Sequence, residues 1–321
     1  MVILTGGAGF IGSCFLAKLN DEGIKDVLVV DHLGKSGKWK NLVGKDFAGY
    51  IHKNAFTLNL SSGLYSPATI DCIVHLGACT VTTENDADYV MDNNLNYSIE
   101  IAEFAAANDI RMIYASSAAT YGLGDHGYSD SDFDDLRPLN IYGFSKHQFD
   151  KWVISEGLDR AFTGFKFFNV FGPNEYHKSD MASMVYKAFH QVKDTGKVRL
   201  FESNHPDYED GEQKRDFIYI KDVVDVIWKV FDDDKISGIF NLGTGKARTW
   251  NDLAKAVFNA LDQKANIDYI EMPDSLKKQY QNFTQADMNK LLSVIDHDFM
   301  DLEESVKDYV VNYLEKDWQY I

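Results

Sequence analysis

The chain has 321 residues, of which 45% are hydrophobic and 13% aromatic, and this is enough to bury the core of one large domain or two modest ones. Its formal net charge of -17 would repel nucleic acid and anionic membrane surfaces over most of the protein, so we expect neither as a partner. An anionic ligand must therefore meet a local patch of positive charge.

The spacing of the cysteines and the N-terminal residues indicate the cellular compartment of the protein. Cys14, Cys72 and Cys79 form no CxxC pair, and no group of His and Cys has zinc-site spacing, so we expect a reduced chain without metal. Met1 runs into VILTGG without a basic start or an apolar signal core. An apolar run of about 18 residues, the length that predicts a membrane helix, is also missing. These features predict a cytoplasmic protein.

Strand-like and helix-like patterns alternate along the first two thirds of the chain. Strand, helix, strand in that order gives right-handed βαβ units and a parallel sheet covered on both faces. The predicted fold is therefore α/β, a doubly wound parallel sheet. The predicted strands are 2–5, 27–31, 72–78, 111–117 and 163–172, and the predicted helices are 10–19, 91–108 and one that begins near Tyr142.

Beyond residue 172 the alternation loosens, and we interpret this part as a second, smaller α/β lobe interleaved with the sheet domain. The predicted domains are 1–172 plus about 214–244 for the sheet and about 173–213 plus 245–321 for the smaller lobe. The regular runs here are 181–193, 197–201, 216–220, 223–231, 239–244, 253–261, 267–272 and a helix within 302–318, with an acidic loop at 203–213.

A glycine pattern joins the first predicted strand to the first predicted helix. TGGAGFIG (5–12) places Gly6, Gly9 and Gly12 in a GxxGxxG spacing. Glycines there permit a tight turn and close approach of a pyrophosphate to the positive end of the helix. The alternative is a tight turn that binds nothing, but the strand-to-helix context favours a dinucleotide site.

The residues after the second strand leave the choice of dinucleotide open. Asp31 ends VLVVD about 20 residues beyond the glycines, where an acid binds the adenosine ribose hydroxyls and favours NAD. Lys35, Lys38 and Lys40 follow, and three lysines in an acidic protein could instead hold the 2′-phosphate of NADP. An exposed basic loop is an equal alternative at this point.

A tyrosine and a lysine four residues apart are a candidate catalytic pair. Tyr142 and Lys146 lie on one face of a predicted helix, a spacing that also arises by chance. Ser117 ends an apolar strand, at the edge where open α/β sheets bind ligands. A hydroxyl, a phenol and an ammonium could then converge on one carbonyl, with Lys146 lowering the pKa of Tyr142 toward neutral pH. The set favours hydride-transfer chemistry.

Several motifs together resemble one known family. TGGAGFIG, Asp31, HLGA (75–78), SSAATYG (116–122) and the YxxxK pair are similar to those of the extended short-chain dehydrogenase/reductase family. RDFIYIKDV (215–223) and FNLGTG (240–245) also stand in that family's positions, so the resemblance covers essentially the whole chain. It implies a Rossmann domain, a substrate lobe and, for most members, a nucleotide-sugar substrate.

Other stretches narrow the resemblance within that family. Ser117 is followed by alanines, whereas sugar dehydratases of the family have an acidic pair there. GACTVTTE (77–84), YVMDNN (89–94), FFNVFGPNEYHKSDMAS (167–183) and YQNFTQADM (280–288) resemble epimerases that invert C6″ of an ADP-heptose. This resemblance implies an isomerase of lipopolysaccharide core synthesis, a homo-oligomer, with NADP as its tightly held cofactor.

The resemblance also assigns residues. Tyr142, Lys146 and Ser117 would be joined in catalysis by Lys178, a second acid/base group. The implied cofactor-binding residues are Gly6, Gly9, Phe10, Ile11, Gly12, Asp31, His32, Lys38, Lys53, Leu76, Gly77, Ala78, Cys79, Thr80, Asn93, Lys146 and Val170. The implied substrate-binding residues are Ser117, Asn169, Asp180, Lys187, Phe201, Glu202, Arg215 and Tyr280. Asp180 and Lys187 depart from the family pattern and bear on sugar specificity.

Two alternatives remain. An epimerase acting at C4 of a UDP-hexose would use the same Ser117, Tyr142 and Lys146, but inversion there needs a single tyrosine, so Lys178 favours the C6″ reaction. A sensor that binds NADP without turnover would be of another class. Such proteins usually lose the tyrosine or the lysine, and this chain has both.

Overall fold

The computed structural model describes residues 1–277 and 280–321. The strands are β1 Val2–Thr5, β2 Val27–Asp31, β3 Gly49–His52, β4 Cys72–His75, β5 Arg111–Ser117, β6 Thr163–Phe167, β7 Asn169–Phe171, β8 Val198–Phe201, β9 Lys214–Tyr219, β10 Gly238–Leu242, β11 Ala247–Thr249 and β12 Ile267–Ile270.

The helices surround these strands. They are α1 Phe10–Asp21, α2 Lys53–Ser61, α3 Ala87–Met91, α4 Tyr97–Ala107, α5 Ile141–Ser155, α6 Met184–Thr195, α7 Ile220–Asp232, α8 Trp250–Ala260, α9 Asp274–Lys277, α10 Asn289–Leu292 and α11 Leu302–Tyr309. A π turn, Asp92–Asn96, joins α3 to α4, and a second, Val310–Leu314, extends α11. Short 3-10 turns occupy Lys38–Leu42, Ala118–Tyr121 and Tyr176–Met181.

Seven parallel strands form the main sheet, in the order β10-β6-β5-β4-β1-β2-β3. All four residues of β1 are buried, as expected for a central strand with helices on both faces. On one face α1 packs against α7, with Phe15 and Phe231 in edge contact at 6.1 Å. On the other, Ile101 of α4 and Phe149 of α5 join a second core cluster. The predicted doubly wound fold is confirmed.

Two strand predictions were wrong in extent. The predicted strand 163–172 is two strands, because the chain turns at Phe168, where the N–H of Val170 bonds back to the Phe168 carbonyl at 2.9 Å. β6 stays in the main sheet, whereas β7 pairs with β9. The predicted strand 72–78 ends at His75. The sequence patterns did not predict β3, which extends the sheet at its β2 edge, or α2, which packs against β2 and β3.

Smaller sheets form the rest of the molecule. One has three strands, β11-β9-β7, and another pairs β12 with β8 in parallel. The helices α6, α8 and α11 pack around them, and α8 begins in a capping box between Thr249 and Asp252. The two-domain boundaries stay a prediction. In the described parts of the chain, no helix has the length and apolar character needed to span a membrane.

Candidate active site

Two cavities open at the carboxyl edge of the main sheet. The larger, about 450 Å³, is lined by residues at the ends of β5 and β6 and by residues of the smaller lobe. The smaller, about 100 Å³, lies at the end of β2. Open α/β sheets bind their ligands outside the carboxyl ends of the strands, so the geometry indicates a single extended site.

The glycine turn fits a pyrophosphate. Gly6 has φ of 69°, and a Cβ there would lie 2.7 Å from the backbone nitrogen of Gly77. A Cβ on Gly12 would lie 2.2 Å from the carbonyl oxygen of Gly6. Gly9 caps α1 without a side-chain hydrogen bond, which leaves the N–H groups of the first turn free for an anion. These residues can therefore hold a dinucleotide at the end of β1.

The adenosine end of the site combines an acid with two lysines. Asp31 accepts a hydrogen bond from the Ala8 N–H at 2.8 Å, and its other oxygen accepts from Lys38 Nζ at 2.6 Å. Lys53 donates to the Asn93 side chain. All of these side chains except that of Ala8 line the smaller cavity. The ion pair neutralises Asp31, so this cavity can accept a further negative charge.

The other predicted cofactor residues divide between the two cavities. Lys35 and Lys40, two of the three lysines expected near the 2′-phosphate of NADP, are exposed and lie outside both linings. The larger cavity is lined by Phe10, Ile11, Leu76, Ala78, Thr80, Lys146 and Val170. The smaller is lined by Gly6, His32, Gly77, Ala78 and Cys79 as well as the residues described above.

Three of the predicted catalytic side chains meet in the larger cavity. Ser117 ends β5, and its Oγ accepts a hydrogen bond from the Ala119 N–H at 3.1 Å. Asn140 caps α5 by accepting from the Gly143 N–H at 2.8 Å, which fixes the first turn that carries Tyr142. Ser117, Tyr142 and Lys146 all line the cavity.

Burial sets the protonation of this group. It raises the pKa of Tyr142, and a hydrogen bond with Ser117 partly opposes that shift. It also lowers the pKa of Lys146 to about 8, against the attraction of Asp150. Lys146 Nζ donates to the Ala115 carbonyl at 2.8 Å. In this state the tyrosine is a protonated phenol, and the expected lowering of its pKa by Lys146 stays a prediction.

A buried ion pair that the sequence patterns did not predict lies behind the catalytic set. Lys166 and Asp150 are both fully buried and 2.7 Å apart. Asp150 also accepts hydrogen bonds from Ser116 at 2.7 Å and Tyr114 at 3.2 Å. One carboxylate thus ties α5 to β5 and β6. A lysine within the apolar run of β6 was the available signal.

Lys178 reaches the same cavity from a different segment. Its ammonium lies 5.3 Å from the centre of the Phe10 ring, and burial lowers its pKa while the charge of Glu175 opposes the shift. Glu175 is buried and accepts from the N–H and hydroxyl of Ser183 at 2.5 and 2.7 Å. Ser179 has φ 47° and ψ -122°, a strained conformation for a residue with a side chain. Glu175 and Ser183 thus tie together the two ends of the turn that carries Lys178.

Most predicted substrate residues surround the rest of the larger cavity. Asn169, Lys187, Phe201 and Tyr280 line it. Arg215 is not part of the lining but is buried directly behind it, between the Tyr280 ring at 5.0 Å and the Trp250 ring at 5.6 Å. The stacked guanidinium can still direct N–H groups at phosphate oxygens.

Asp180 and Glu202 are placed differently. Both are exposed and lie outside the cavity lining, although Lys187 Nζ donates to the Asp180 carbonyl at 2.6 Å. Arg199 and Trp250 line the cavity and were not among the predicted residues. Arg199 lies on the exposed face of β8, between buried neighbours, an alternation that was visible in the sequence.

Among the residues that the structure describes, no three His, Cys, Asp or Glu side chains form a group that could hold a metal ion. Fold and site together therefore define a dinucleotide-binding architecture in which Ser117, Tyr142, Lys146 and Lys178 line one cavity.

Comparisons with known proteins agree with this architecture. The model of the NAD dependent epimerase/dehydratase family matches residues 2–243. A curated relative in Nitratidesulfovibrio vulgaris strain DP4, named ADP-L-glycero-D-manno-heptose-6-epimerase, is 51% identical over 98% of each chain. A relative of the same name in Fusobacterium nucleatum is 46% identical over 100% of each. The chain belongs to the NAD dependent epimerase/dehydratase family.

A solved structure extends the comparison. The crystal structure of Helicobacter pylori ADP-L-glycero-D-manno-heptose-6-epimerase is 31% identical, with a TM-score of 0.83, and the match covers 97% of this chain and 95% of that one. The resemblance therefore includes the smaller lobe as well as the sheet.

Proposed function

We propose that this protein is a nucleotide-sugar epimerase that converts ADP-D-glycero-D-manno-heptose to ADP-L-glycero-D-manno-heptose by inverting C6″. Full-length identity of 46% and 51% to relatives that carry this activity in their names is the observation that carries the proposal. The cavity adds support, because Tyr142 and Lys178 line it from separate segments. Such an enzyme serves lipopolysaccharide core synthesis.

Inversion of a carbon through oxidation and reduction needs proton transfer on both of its faces. A nicotinamide dinucleotide held at the glycine turn and the small cavity would supply the hydride chemistry: removal of a hydride from C6″ and its return to the opposite face of the planar carbon. Tyr142 Oη exchanges the hydroxyl proton on one side and Lys178 Nζ on the other, because one group cannot readily reach the oxygen in both orientations. Ser117 Oγ hydrogen-bonds the sugar oxygen, and Lys146 favours the phenolate.

The most direct experiment follows the stereocentre. The protein is incubated with ADP-D-glycero-D-manno-heptose, and the C6″ configuration is followed by NMR. We expect the L-glycero product, with no net consumption of dinucleotide. Unchanged substrate would refute the proposed activity, and inversion of UDP-hexoses at C4 instead would favour the alternative epimerase.

Substitutions separate the two proton-transfer groups. We expect Tyr142→Phe and Lys178→Met each to lower kcat by about 10²- to 10⁴-fold, the range for loss of a general acid or base, while the dinucleotide still binds. Lys193→Met is the matched control, since Lys193 is half exposed and pairs with Glu315 on the surface. Near-normal turnover in either cavity variant would remove the role assigned to that residue.

The choice of dinucleotide is a separate part of the proposal. We propose NADP, because Lys38 and Lys53 line the small cavity and Lys38 already neutralises Asp31. Lys38→Met should weaken NADP binding more than NAD binding, and Lys35→Met should change neither, because Lys35 is exposed outside the cavity. Titration calorimetry with both dinucleotides measures this. Equal losses for the two would contradict the choice of NADP.

Self-association is a further part of the proposal. The family resemblance supports a homo-oligomer, which sedimentation velocity measures directly. A single monomeric species at micromolar concentration would contradict it.

A further inference from the structure

A buried imidazole lies between the dinucleotide turn and the catalytic helix. His75 is the last residue of β4 and is 1% exposed. Its Nδ1 is 2.7 Å from Thr5 Oγ1, and its Nε2 is 2.9 Å from Ser98 Oγ. None of the roles proposed above uses this side chain, although both of its neighbours belong to elements that build the site.

Counting donors at Ser98 fixes the tautomer of the ring. Ser98 Oγ lies 2.5 Å from the Asn94 carbonyl oxygen, and a carbonyl can only accept, so the single hydroxyl proton of Ser98 is used there. Ser98 Oγ must then accept from His75. The imidazole therefore carries a proton on Nε2.

On the Nδ1 side of the ring, His75 accepts a hydrogen bond from Thr5. The Gly77 N–H donates to Thr5 Oγ1 at 3.1 Å, which leaves the Thr5 hydroxyl proton for His75 Nδ1. The ring accepts at Nδ1 and donates at Nε2, as a neutral imidazole does. Burial, with a smaller contribution from the charge of Lys146, lowers the pKa of His75 to about 3, in agreement with this arrangement.

The chain of hydrogen bonds starts beside the glycine turn, because Gly77 lies against Gly6, where an added Cβ would be 2.7 Å from the Gly77 nitrogen. It ends at Asn94, in the π turn between α3 and α4. The Asn94 side chain accepts from the Cys79 N–H at 2.7 Å and donates to the Ser145 hydroxyl at 3.1 Å. Ser145 Oγ donates in turn to the Tyr142 carbonyl at 2.8 Å.

We propose that His75 is a positioning residue whose neutral ring, protonated on Nε2, fixes Gly77 against the glycine turn and Asn94 against the first turn of α5 at the same time. The Nδ1 side of the ring thus affects dinucleotide binding, and the Nε2 side affects the orientation of Tyr142. The second effect rests on the proposed epimerase function, whereas the first rests only on the binding of a dinucleotide.

The tautomer is tested by NMR of the whole protein with ¹⁵N-labelled histidine rings, using His75→Phe to assign the signal. We expect His75 to be protonated on Nε2 alone, without change between about pH 5 and 8, the interval in which an ordinary histidine titrates. Protonation on Nδ1, or titration within this interval, would overturn the proposal. This measurement needs no sugar substrate.

Two conservative variants separate the sides of the ring. The amide oxygen of Asn lies near the position of Nδ1, and the amide nitrogen of Gln lies near that of Nε2, so His75→Asn keeps the Thr5 bond and His75→Gln keeps the Ser98 bond. We expect His75→Gln to bind NADP about tenfold more weakly, and His75→Asn to keep its NADP affinity but lose about tenfold in kcat, since each leaves one buried group unpaired. Equal effects of the two variants on both quantities would refute the positioning role.

A matched serine pair controls for stability. Ser98 and Ser305 are both buried, and each bonds the carbonyl four residues earlier, that of Asn94 at 2.5 Å and that of Asp301 at 2.9 Å. We expect Ser98→Ala to lower kcat per folded molecule and Ser305→Ala to leave it unchanged. Equal kcat values would refute the coupling to Tyr142. Failure of the wild type to turn over the heptose would instead refute the proposed function, and the NMR and NADP titrations would still decide the role of His75.

Discussion

Lys146 determines the alkaline pH dependence that we expect of the enzyme. Burial lowers its pKa to about 8, so the side chain is cationic below that pH and neutral above it. Only the cation favours a Tyr142 phenolate, and kcat/KM should therefore fall as pH rises through about 8. Steady-state kinetics across a pH series measures this.

Lys146→Arg provides the control for that pH dependence. Arginine stays charged throughout the range, so the variant should lose the decline near pH 8, whatever activity it retains. The same decline in the variant would assign it to another group.

Gly12 tests the geometry of the dinucleotide turn. A Cβ at this position would lie 2.2 Å from the Gly6 carbonyl oxygen, so Gly12→Ala must displace the turn. We expect dinucleotide affinity to fall by about 100-fold or more, because the backbone N–H groups then miss the phosphates. In Gly49→Ala the nearest atom would be Leu28 Cδ1 at 3.5 Å, and binding should be normal. Equal affinities in titration calorimetry would contradict this account of the turn.

At the scale of elements, the buried pair Lys166–Asp150 joins α5 to β5 and β6. Lys166→Met leaves the Asp150 carboxylate buried without its counter-charge, and we expect a loss of about 3–5 kcal/mol in the free energy of unfolding. Adding Asp150→Asn removes that charge and should restore part of the loss. Urea denaturation measures both.

An exposed ion pair serves as the control for this prediction. Lys25 and Asp46 are 2.7 Å apart but more than 60% exposed, so Lys25→Met should change the unfolding free energy by less than about 1 kcal/mol. A similar loss for Lys25→Met and Lys166→Met would show that burial is not the cause.

Some strands could be predicted from the sequence because a local pattern of apolar and polar residues determines where they begin and end. The strands β1, β2 and β5 begin and end where predicted, since each is an apolar run bounded by polar or turn residues. The predicted strand 163–172 failed for the opposite reason. Apolar residues and glycines predominate on both sides of Phe168, and nothing local marks it as the point where the chain passes to another sheet.

Some residues of the candidate site could likewise be predicted from local sequence, and others could not. Tyr142 and Lys146 could be found because they lie one helical turn apart on α5. Ser117 could be found because it ends an apolar strand, at the edge where such sheets bind ligands. The Lys166–Asp150 pair and the contacts of His75 could not, because their partners come together only when helices pack on the sheet. Trp250 was missed likewise, since it meets the cavity only through the fold of the smaller lobe.

At the scale of the whole molecule, the net charge of -17 predicts a response to salt. Carboxylates repel one another across the folded surface, and the screening length falls from about 30 Å at 0.01 M to about 8 Å at 0.15 M ionic strength. We therefore expect Tm to rise as NaCl is added over this range. Calorimetry should show the same rise with choline chloride, and a falling Tm would contradict self-repulsion as a source of instability.

The passage of the chain from β6 to β7 through the single residue Phe168 affects how the cavity can admit a bulky sugar. β6 is bonded into the large sheet and β7 into the small one, so the backbone at the base of the cavity has no slack and cannot serve as a hinge. Entry must then depend on other parts of the lining, such as Lys178 and Met181 of the 176–181 turn. The short β6–β7 connection therefore fixes the distance between the main-sheet side and the small-sheet side of the cavity.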